Sequence, residues 1–214
     1  MEIITLPLGR IGANCYFLIN PEAEDCILID PGDEPDTVIR KLDSLGLTPK
    51  YILITHGHPD HVGAVAELKS VFPETQVMIH EADASKMGNR PVMHVQTAPF
   101  QEATSDGFYK DGDEVVCEGI RVQVIHTPGH SPGGVCLYVE EDGSLFSGDT
   151  LFRASVGRWD FPGGNMADLE ASIKDKLYTL PQETVVYPGH SSTTTIGDEM
   201  LYNPFIRAES GDEG

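Results

Sequence analysis

The chain has 214 residues, of which 40% are hydrophobic and 22% are charged, a balance typical of a single soluble globular domain. Acidic residues (34) outnumber Lys and Arg (14), which gives a formal net charge of −20 at pH 7. A field of that sign repels phosphate backbones and anionic lipid, so we expect neither nucleic acid nor a membrane surface as a partner. The sequence shows no apolar run of membrane-spanning length and no secretory leader, so we expect a cytoplasmic location.

Short apolar runs rich in β-branched residues alternate with helix-like stretches along the chain. The runs predict strands over residues 2–6, 14–19, 26–29, 51–54, 76–79, 120–125, 135–139, 144–146 and 184–187. Helices are predicted after Asp33, a candidate N-cap with Pro35 in the first turn, over residues 60–72, and after Asn165, another candidate N-cap. Several strands are apolar at nearly every position, as strands covered on both faces are. This interleaving predicts a layered α/β fold.

Two segments depart from this pattern. Residues 84–113 carry several Gly and Pro residues and predict a surface excursion, and residues 208–214 form a short acidic tail that we expect to be mobile. No repeat or linker marks a second domain, so we expect one domain over residues 1–207. The cysteines form no C-x-x-C pair, and we predict buried free thiols for Cys15, Cys26, Cys117 and Cys136.

The most informative segment joins an apolar strand to a cluster of metal-binding residue types. The strand runs directly into His56, His58, Asp60 and His61, with Pro59 marking the turn into the second helix. Alternation in an extended chain points His56 and His58 the same way, and Asp60 lies near the positive end of that helix. Two ligand pairs arranged in this way suit two adjacent metal ions better than one. A loop whose histidines merely cap strand and helix is the weaker interpretation, because unsatisfied buried polar groups are costly.

Three later strands share one design, in which a small turn containing glycine leads to a polar residue. These polar residues are His130, Asp149 and His190. Each is a weak signal alone, but together with the first cluster they make five His and two Asp at strand ends. The remaining histidines are interpreted as non-ligands, namely His80, His94 and His126.

The signature T-H-x-H-x-D-H over residues 55–61, followed by a separate His, Asp and His, resembles the metallo-β-lactamase superfamily. The resemblance covers nearly the whole chain and implies a four-layer αβ/βα sandwich with the site at the edge between the two sheets. It implies one metal ion on His56, His58 and His130. It implies a second metal ion on Asp60, His61 and His190, with Asp149 bridging the two.

All seven implied ligands offer nitrogen or oxygen. Imidazole with carboxylate suits Zn²⁺, and it also suits iron and manganese. We therefore predict two divalent metal ions per chain, with zinc favoured. Their four positive charges act locally against a diffuse surface charge that salt screens over about 8–10 Å, so an anionic substrate is compatible with the acidic composition.

Within the superfamily the chain resembles short hydrolases of the glyoxalase II (hydroxyacylglutathione hydrolase) type. The supporting stretches are residues 147–153, 156–164, 187–199 and 203–205. Two features depart from that pattern. Trp159 stands where a small hydroxyl residue is expected, and the 24 residues after His190 are too few for the helical domain that supplies much of the glutathione contact in full-length enzymes. The thiol carrier is therefore left open.

The predicted reaction is hydrolysis by a hydroxide that bridges the metals, because bound metal lowers the pKa of water from 15.7 to about 7. Asp149 is expected to set the metal separation, and Asp60 to orient the hydroxide. The motifs contain no general acid, and a thiol with a pKa near 8.5 leaves with little protonation. Thioesters such as S-lactoylglutathione therefore rank above lactones, and lactones above β-lactams. Arg153 and Trp159 are candidate substrate contacts, and Arg158 is expected to pair with Asp160.

Two other classes stay open. Persulfide dioxygenases share this fold and much of the signature, but they use one iron held by two His and one Asp, here His58, His130 and Asp149. A non-catalytic metal-binding or interaction protein is disfavoured because all seven ligand types are present. Metal count and iron-dependent oxygen uptake separate the two enzyme classes. The sequence leaves the oligomeric state open between a monomer and a weak dimer.

Overall fold

The first of two large sheets is built from the N-terminal half of the chain. The computed structural model describes residues 1–88 and 101–208, and within these residues the strands form two six-stranded sheets and one two-stranded hairpin. In spatial order the first sheet contains β1 (Glu2–Leu8), β2 (Ala13–Ile19), β3 (Asp25–Ile29), β4 (Thr48–Leu53), β5 (Gln76–His80) and β6 (Gly107–Tyr109). The pairs β1–β2 and β2–β3 are antiparallel, whereas β3 to β6 are parallel neighbours.

The second sheet is built from the C-terminal half. Its strands along the chain are β7 (Glu114–Cys117), β8 (Ile120–His126), β9 (Val135–Val139) and β10 (Ser144–Gly148), then β13 (Val185–Pro188) and β14 (Thr194–Thr195). The short hairpin lies between them in sequence and consists of β11 (Leu151–Phe152) and β12 (Ser155–Val156). Strand β13 pairs with β10 in parallel, while the other pairs of this sheet are antiparallel.

Helices cover the outer faces of both sheets. Those described are α1 (Pro35–Leu45), α2 (Pro59–Val62), α3 (Val65–Val71), α4 (Glu81–Ala84), α5 (Met166–Ala171) and α6 (Ile196–Tyr202). A π-helical turn over Ser172–Lys176 continues α5. The apolar faces of α1 and α3 pack on the first sheet, and those of α5 and α6 pack on the second.

Three buried apolar clusters separate these layers. Every residue of β2 is buried, and its side chains alternate between two clusters because successive residues of a strand face opposite sides. Phe17 packs with Val38 and Leu68 beneath the helices, whereas Tyr16 and Leu18 lie between the two sheets. The third cluster joins the second sheet to α5 and α6. This is the four-layer αβ/βα sandwich that the sequence resemblance implies.

Strand direction brings the polar loops to one edge of the sandwich. The parallel neighbours β3 and β4 end side by side, so Asp30 and the segment that starts at Thr55 follow them at the same edge. The parallel neighbours β10 and β13 likewise lead into Asp149 and His190. Residues far apart in sequence therefore meet where the carboxyl ends of parallel strands meet.

Direct hydrogen bonds tie these two edges together across the sandwich. The backbone N–H of Asn14 donates to Gly189 O at 2.7 Å, and its Nδ2 donates to Pro188 O at 2.9 Å. The hydroxyl of Tyr16 donates to the same Pro188 carbonyl at 2.5 Å. The start of β2 is thus bonded to the end of β13, 172 to 174 residues further along the chain.

The predicted helices need two corrections. The helix predicted over residues 60–72 is divided into α2 and α3 at Gly63 and Ala64. Asp33 does not cap α1, whose N-cap is Glu34 in a left-handed conformation (φ 49°) without a side-chain capping bond. Asn165 does cap α5, since its Oδ1 accepts from the N–H groups of Ala167 and Asp168.

The predicted surface excursion over residues 84–113 also needs correction, because β6 lies within it. The ring of Tyr109 is buried in the cluster between the sheets, and its hydroxyl donates to Ile54 O. The sequence missed β6, β7 and β14 because two to four residues are too few to display a strand period. Residues 89–100, which include His94, and residues 209–214 of the predicted tail lie outside the described residues.

The cysteine prediction is confirmed, because all four cysteines are buried and free. Burial raises the pKa of the Cys26 thiol to about 12. Among the residues that the structure describes, none of the helices combines the length and apolarity needed to cross a membrane.

Candidate metal centre

Three histidine side chains converge at the edge of the sandwich. His56 and His58 follow β4, and His130 lies in the loop between β8 and β9. Each offers a ring nitrogen, and these three nitrogens lie within 4.8 Å of one another. His58 Nδ1 and His130 Nε2 are only 2.8 Å apart. We call His56, His58 and His130 the first ligand group.

A second group of three side chains lies beside the first. Asp60 Oδ2 is 3.5 Å from His61 Nε2 and 3.2 Å from His190 Nε2. The potential ligand atoms of these residues also lie within 4.8 Å of one another. We call Asp60, His61 and His190 the second ligand group. The two groups coincide with the two ligand sets that the sequence resemblance implies.

Asp149 lies between the two groups and presents one carboxylate oxygen to each. Its Oδ1 is 3.4 Å from His61 Nε2 and 3.8 Å from His190 Nε2, and its Oδ2 is 3.5 Å from His130 Nε2. A Cβ atom on Gly189 would lie 2.4 Å from Asp149 Oδ1, so only glycine allows His190 to follow at this point. The structure therefore brings all seven predicted ligands together.

The donor atoms fit divalent metal ions. In the described part of the chain, His56 Nε2, His61 Nε2 and Asp149 Oδ1 are buried without a hydrogen-bond partner. Buried polar atoms are normally satisfied, and such atoms clustered around one space are typical of a metal site. Imidazole nitrogen and carboxylate oxygen are ligands for zinc, iron and manganese alike. That these atoms hold metal ions stays a prediction.

Asp30, which the sequence did not single out, orients histidines of both groups. It follows β3 and is 2% exposed. Its Oδ2 accepts from His61 Nδ1 at 2.9 Å and from Thr55 Oγ1 at 2.5 Å. Because the Thr55 hydrogen points to Asp30, the Thr55 oxygen is left to accept from His56 Nδ1 at 3.1 Å. Both histidines thereby carry a proton on Nδ1, so Nε2 is the nitrogen that faces the site and can bind a metal ion there.

Asp83 on α4, a second carboxylate that the sequence did not single out, holds the backbone around the first group. It is 0% exposed, and its oxygens accept from Gly57 N at 3.0 Å and Gly133 N at 2.9 Å. Gly57 separates His56 from His58, and Gly133 lies in the His130 loop. Burial raises the pKa of Asp83, but Lys86 at 2.8 Å and the N–H donors outweigh that effect and lower it overall.

The loop over residues 157–164 contributes a hydrogen bond to one predicted metal ligand and an aromatic ring beside another. His130 Nδ1 donates to Arg158 O at 2.6 Å, which turns His130 Nε2 toward the site. The Phe161 ring, which the sequence did not single out, lies 5.7 Å from the His58 ring. The guanidinium of Arg158 pairs with Asp160 at 2.8 and 2.9 Å, as predicted, and lies 4.2 Å from the Phe161 centroid.

The two candidate substrate contacts lie on exposed loops. Trp159 is 36% exposed, and Arg153 at the tip of the β11–β12 hairpin donates from Nη1 to Ser192 Oγ at 3.4 Å. Contact of either residue with a substrate stays a prediction. Two of the histidines interpreted as non-ligands, His80 and His126, stack on each other with ring centroids 4.2 Å apart.

The electrostatics of the two ligand groups differ. Burial and neighbouring histidines lower the pKa of His56 well below its usual range and that of His58 to about 4. Burial also disfavours the charged form of His61, yet Asp149, Asp60 and Asp30 raise its pKa to about 10. Burial opposes ionisation of Asp60 too, but His61 and His190 hold its pKa well below its usual range. His56 and His58 are thus neutral at pH 7, whereas the second group joins imidazoles to a carboxylate.

The sequence matches the family model of the metallo-beta-lactamase superfamily over residues 8–190. The chain therefore belongs to this superfamily, and its fold and its cluster of His and Asp agree with that membership. The family and the donor set together support a metal-dependent hydrolase.

Particular relatives cover nearly the whole chain. Hydroxyacylglutathione hydrolase GloC of Haemophilus influenzae is 34% identical over 216 residues, which span 98% of this chain and 100% of that protein. The crystal structure of BLEG-1 B3 metallo-beta-lactamase is similar at 36% identity and a TM-score of 0.87, covering 96% of this chain and 99% of that one. The di-iron-bound form of TTHA1623 is 38% identical with a TM-score of 0.79, covering 95% and 100%.

Proposed function

We propose that the protein is a thioester hydrolase that uses two divalent metal ions and acts on S-lactoylglutathione or a related small acyl-thioester. The observation that carries this proposal is the position of Asp149, with one oxygen toward each ligand group. Two complete groups of three donors around one carboxylate suit two ions better than one. The similarity to GloC supports the thioester, and the similarity to a di-iron structure supports a binuclear centre.

The chain's own residues would orient the reactants. When bound, the metal ions would lower the pKa of water to about 7 and polarise the substrate carbonyl. Asp30 and the Arg158 carbonyl hold three histidines in the tautomer that faces the site, either directly or through Thr55. Asp60 remains ionised and so can accept a hydrogen bond from a water molecule between the groups. Phe161 gives the mouth of the site an apolar side.

The leaving group favours a thioester over an amide. The Nδ1 protons of His130 and His61 are directed to Arg158 O and Asp30, and Asp60 is ionised, so none of these three groups supplies a proton to a leaving group. A thiolate leaves with little protonation because the thiol pKa is near 8.5, whereas an amine needs a proton. Arg153 offers a guanidinium that can bind a carboxylate of the thiol carrier through two hydrogen bonds. We propose zinc as the first metal to test, with iron and manganese as alternatives.

The decisive experiment is the initial rate of S-lactoylglutathione hydrolysis by metal-reconstituted protein against chelator-treated protein. We expect rapid cleavage that depends on about two metal equivalents per chain. Benzylpenicillin and glutathione persulfide serve as competing substrates under the same conditions. Faster β-lactam cleavage, or iron-dependent oxygen uptake with the persulfide at one iron per chain, would overturn the proposal.

Two histidine variants provide a matched comparison. His190→Ala removes a donor of the second group, and we expect the loss of about one metal equivalent and most of the thioesterase rate. His80→Ala alters an imidazole that stacks on His126 outside both groups, and we expect unchanged metal content and turnover. Equal metal content in the two variants would argue against a second metal ion on His190.

A further inference from the structure

A buried carboxylate links the β11–β12 hairpin, the segment after His190 and the end of α6. Glu199 on α6 is 3% exposed, although no residue of α6 belongs to either ligand group. Its Oε1 accepts from Thr194 Oγ1 at 2.6 Å, and its Oε2 accepts from Asn203 Nδ2 at 2.7 Å. Both oxygens also accept from the backbone N–H of Ala154, at 3.1 and 3.0 Å. All these donors are neutral.

The residue that Glu199 holds has an unfavourable backbone conformation. Ala154 lies at the tip of the β11–β12 hairpin with φ 53°, in the left-handed region that non-glycine residues rarely adopt. Such a conformation persists only where surrounding contacts enforce it. The Glu199 carboxylate supplies one contact at Ala154 N, and Asn203 Nδ2 supplies another at Ser155 O, at 3.1 Å.

The orientation of Asn203 makes this arrangement specific. Asn203 is completely buried, and its Oδ1 accepts from the N–H groups of Phe205 and Ile206 at 3.0 and 3.2 Å. Its Nδ2 is therefore the atom that donates to both Glu199 and Ser155 O of the hairpin. A carboxylate, which only accepts hydrogen bonds, satisfies the Thr194, Asn203 and Ala154 donors together, whereas a neutral amide would direct hydrogens at one of them.

The hairpin carries two side chains that face the segment around His190. The ring of Phe152 lies 6.2 Å from the ring of His190, and Arg153 donates to Ser192, two residues after His190. Thr194, which donates to Glu199, belongs to the same segment. Glu199 thus fixes the hairpin and the His190 segment relative to each other.

We propose that Glu199 is a positioning residue that holds the β11–β12 hairpin so that Arg153 presents its guanidinium to an anionic group of the substrate. The inference rests on the proposed function only for the identity of that substrate. Glu199 acts through Ala154 and Arg153 and makes no contact with the reacting atoms. It therefore governs substrate affinity rather than the chemical step.

We call the hydrogen bonds from Ala154 N to the Glu199 carboxylate the clamp. Trypsin cleavage after Arg153 tests the clamp without measuring activity. The bond that trypsin hydrolyses there joins Arg153 to Ala154, whose N–H is held by Glu199. In metal-reconstituted Glu199→Gln we expect cleavage at this bond to be about tenfold faster than in the unaltered protein, because the hairpin opens more often. Cleavage after Arg158, on the neighbouring loop, serves as the internal control and should not change. Equal cleavage after Arg153 in the two proteins would overturn the clamp.

A double-mutant comparison tests the route through Arg153. We expect Glu199→Gln to raise KM for S-lactoylglutathione about fivefold, with kcat and metal content within twofold of the unaltered enzyme. KM for the uncharged thioester S-lactoyl-N-acetylcysteamine should not change. Adding Glu199→Gln to Arg153→Ala should raise KM no further, because one interaction cannot be lost twice. Multiplicative effects of the two substitutions would overturn the route through Arg153.

Thr194→Val keeps the test decisive if Glu199→Gln does not fold. Valine has the shape of threonine and removes one donor to the carboxylate while leaving the Ala154 contact. We expect cleavage after Arg153 to become about twofold faster and KM for S-lactoylglutathione to rise about twofold. If neither quantity changes, the proposal is overturned. If the unaltered enzyme does not hydrolyse S-lactoylglutathione, the proposed function fails, while the trypsin experiment still decides the clamp.

Discussion

Two buried carboxylates support the candidate metal centre in different ways. Asp30 accepts from the backbone N–H of Thr55 and also orients ligand side chains, since it holds the imidazole of His61 directly and that of His56 through the Thr55 hydroxyl. Asp83 bonds to backbone, since it accepts from Gly57 N and Gly133 N and pairs with Lys86. Both are almost inaccessible to solvent. Burial alone therefore does not define a role, because Asp30 orients the predicted ligand side chains whereas Asp83 fixes the position of their loops.

The largest expected effect lies at Asp149, and the effects at Asp30 and Asp83 are judged against it. Asp149→Ala removes the carboxylate that faces both ligand groups, so we expect loss of most metal at both positions and a fall in turnover of about 10³-fold or more. Metal analysis and initial rates measure the two effects. Asp36→Asn, an exposed change on α1, is the control and should leave both unchanged. Full metal content and near-normal turnover in Asp149→Ala would rule out the bridging role.

The next effect is at Asp30 and concerns metal affinity. Asp30→Asn places an amide donor against groups that already donate, so His61 loses the partner that fixes its tautomer. We expect metal affinity to fall about 10–100-fold, the range for removal of a partner that orients a ligand. Competition with a chelator of known affinity provides the measurement. A metal affinity equal to that of the unaltered protein would show that Asp30 does not control the ligands.

At Asp83 we expect a loss of stability with a smaller effect on metal. Asp83→Asn removes the ion pair with Lys86 and weakens two backbone hydrogen bonds in a buried setting, so the free energy of unfolding should fall by about 3 kcal/mol. Urea unfolding of the metal-free protein measures this change. Metal affinity per folded molecule should stay within about threefold. A large loss of affinity without a loss of stability would reverse the comparison with Asp30.

The same variant gives a pH dependence of known sign. The pKa of Asp83 is lower in the folded protein than in the unfolded chain, where an aspartate titrates near 3.9. The unfolded chain therefore binds the proton first, and stability falls as pH drops through the folded pKa. We expect the stability difference between the unaltered protein and Asp83→Asn to be constant from pH 7 to about pH 5. It should shrink below about pH 4. A difference that grows under acid would contradict this assignment.

The smallest effect is expected at Arg153, which contacts neither buried carboxylate. Arg153→Ala should raise KM for S-lactoylglutathione about tenfold with little change in kcat, because one partly exposed charge-assisted contact contributes about 1.4 kcal/mol. Steady-state kinetics with Arg121→Ala as the control for a remote arginine provides the measurement. An unchanged KM would remove Arg153 from the substrate site.

The sequence predicted the seven side chains that converge at the sheet edge, because each follows an apolar strand and four of them share one short motif. Asp30 also follows an apolar strand, so the same signal was present, but it stands apart from the histidines and carries no motif of its own. Asp83 carried no signal. Its backbone partners are 26 and 50 residues away, and only the packing of α4 against both loops reveals the contact.

In the fold, too, elements with a clear local sequence pattern were predicted, and elements that depend on tertiary contacts were missed. Long apolar strands were predictable, whereas β6 and β14 are too short to have a pattern of their own. They gain their structure by pairing, β6 with β5 across about 30 residues of sequence and β14 with the preceding strand β13. The break between α2 and α3 is also a tertiary effect, since Ala64 N donates to Pro31 O rather than within a continuous helix. Tertiary contacts override local propensity at such positions.

The bonds from Asn14 and Tyr16 to the end of β13 have a consequence for the order of assembly. Contacts between residues more than 170 positions apart form late, because the chain must close a long loop before they can contribute. On the ribosome the first sheet and the loop between β8 and β9 emerge before β13, so all three histidines of the first group are present while the second group still lacks His190. Binding of a second metal ion would therefore require that β13 has already paired with β10. Because that ion binds only the folded protein, it would stabilise the completed fold.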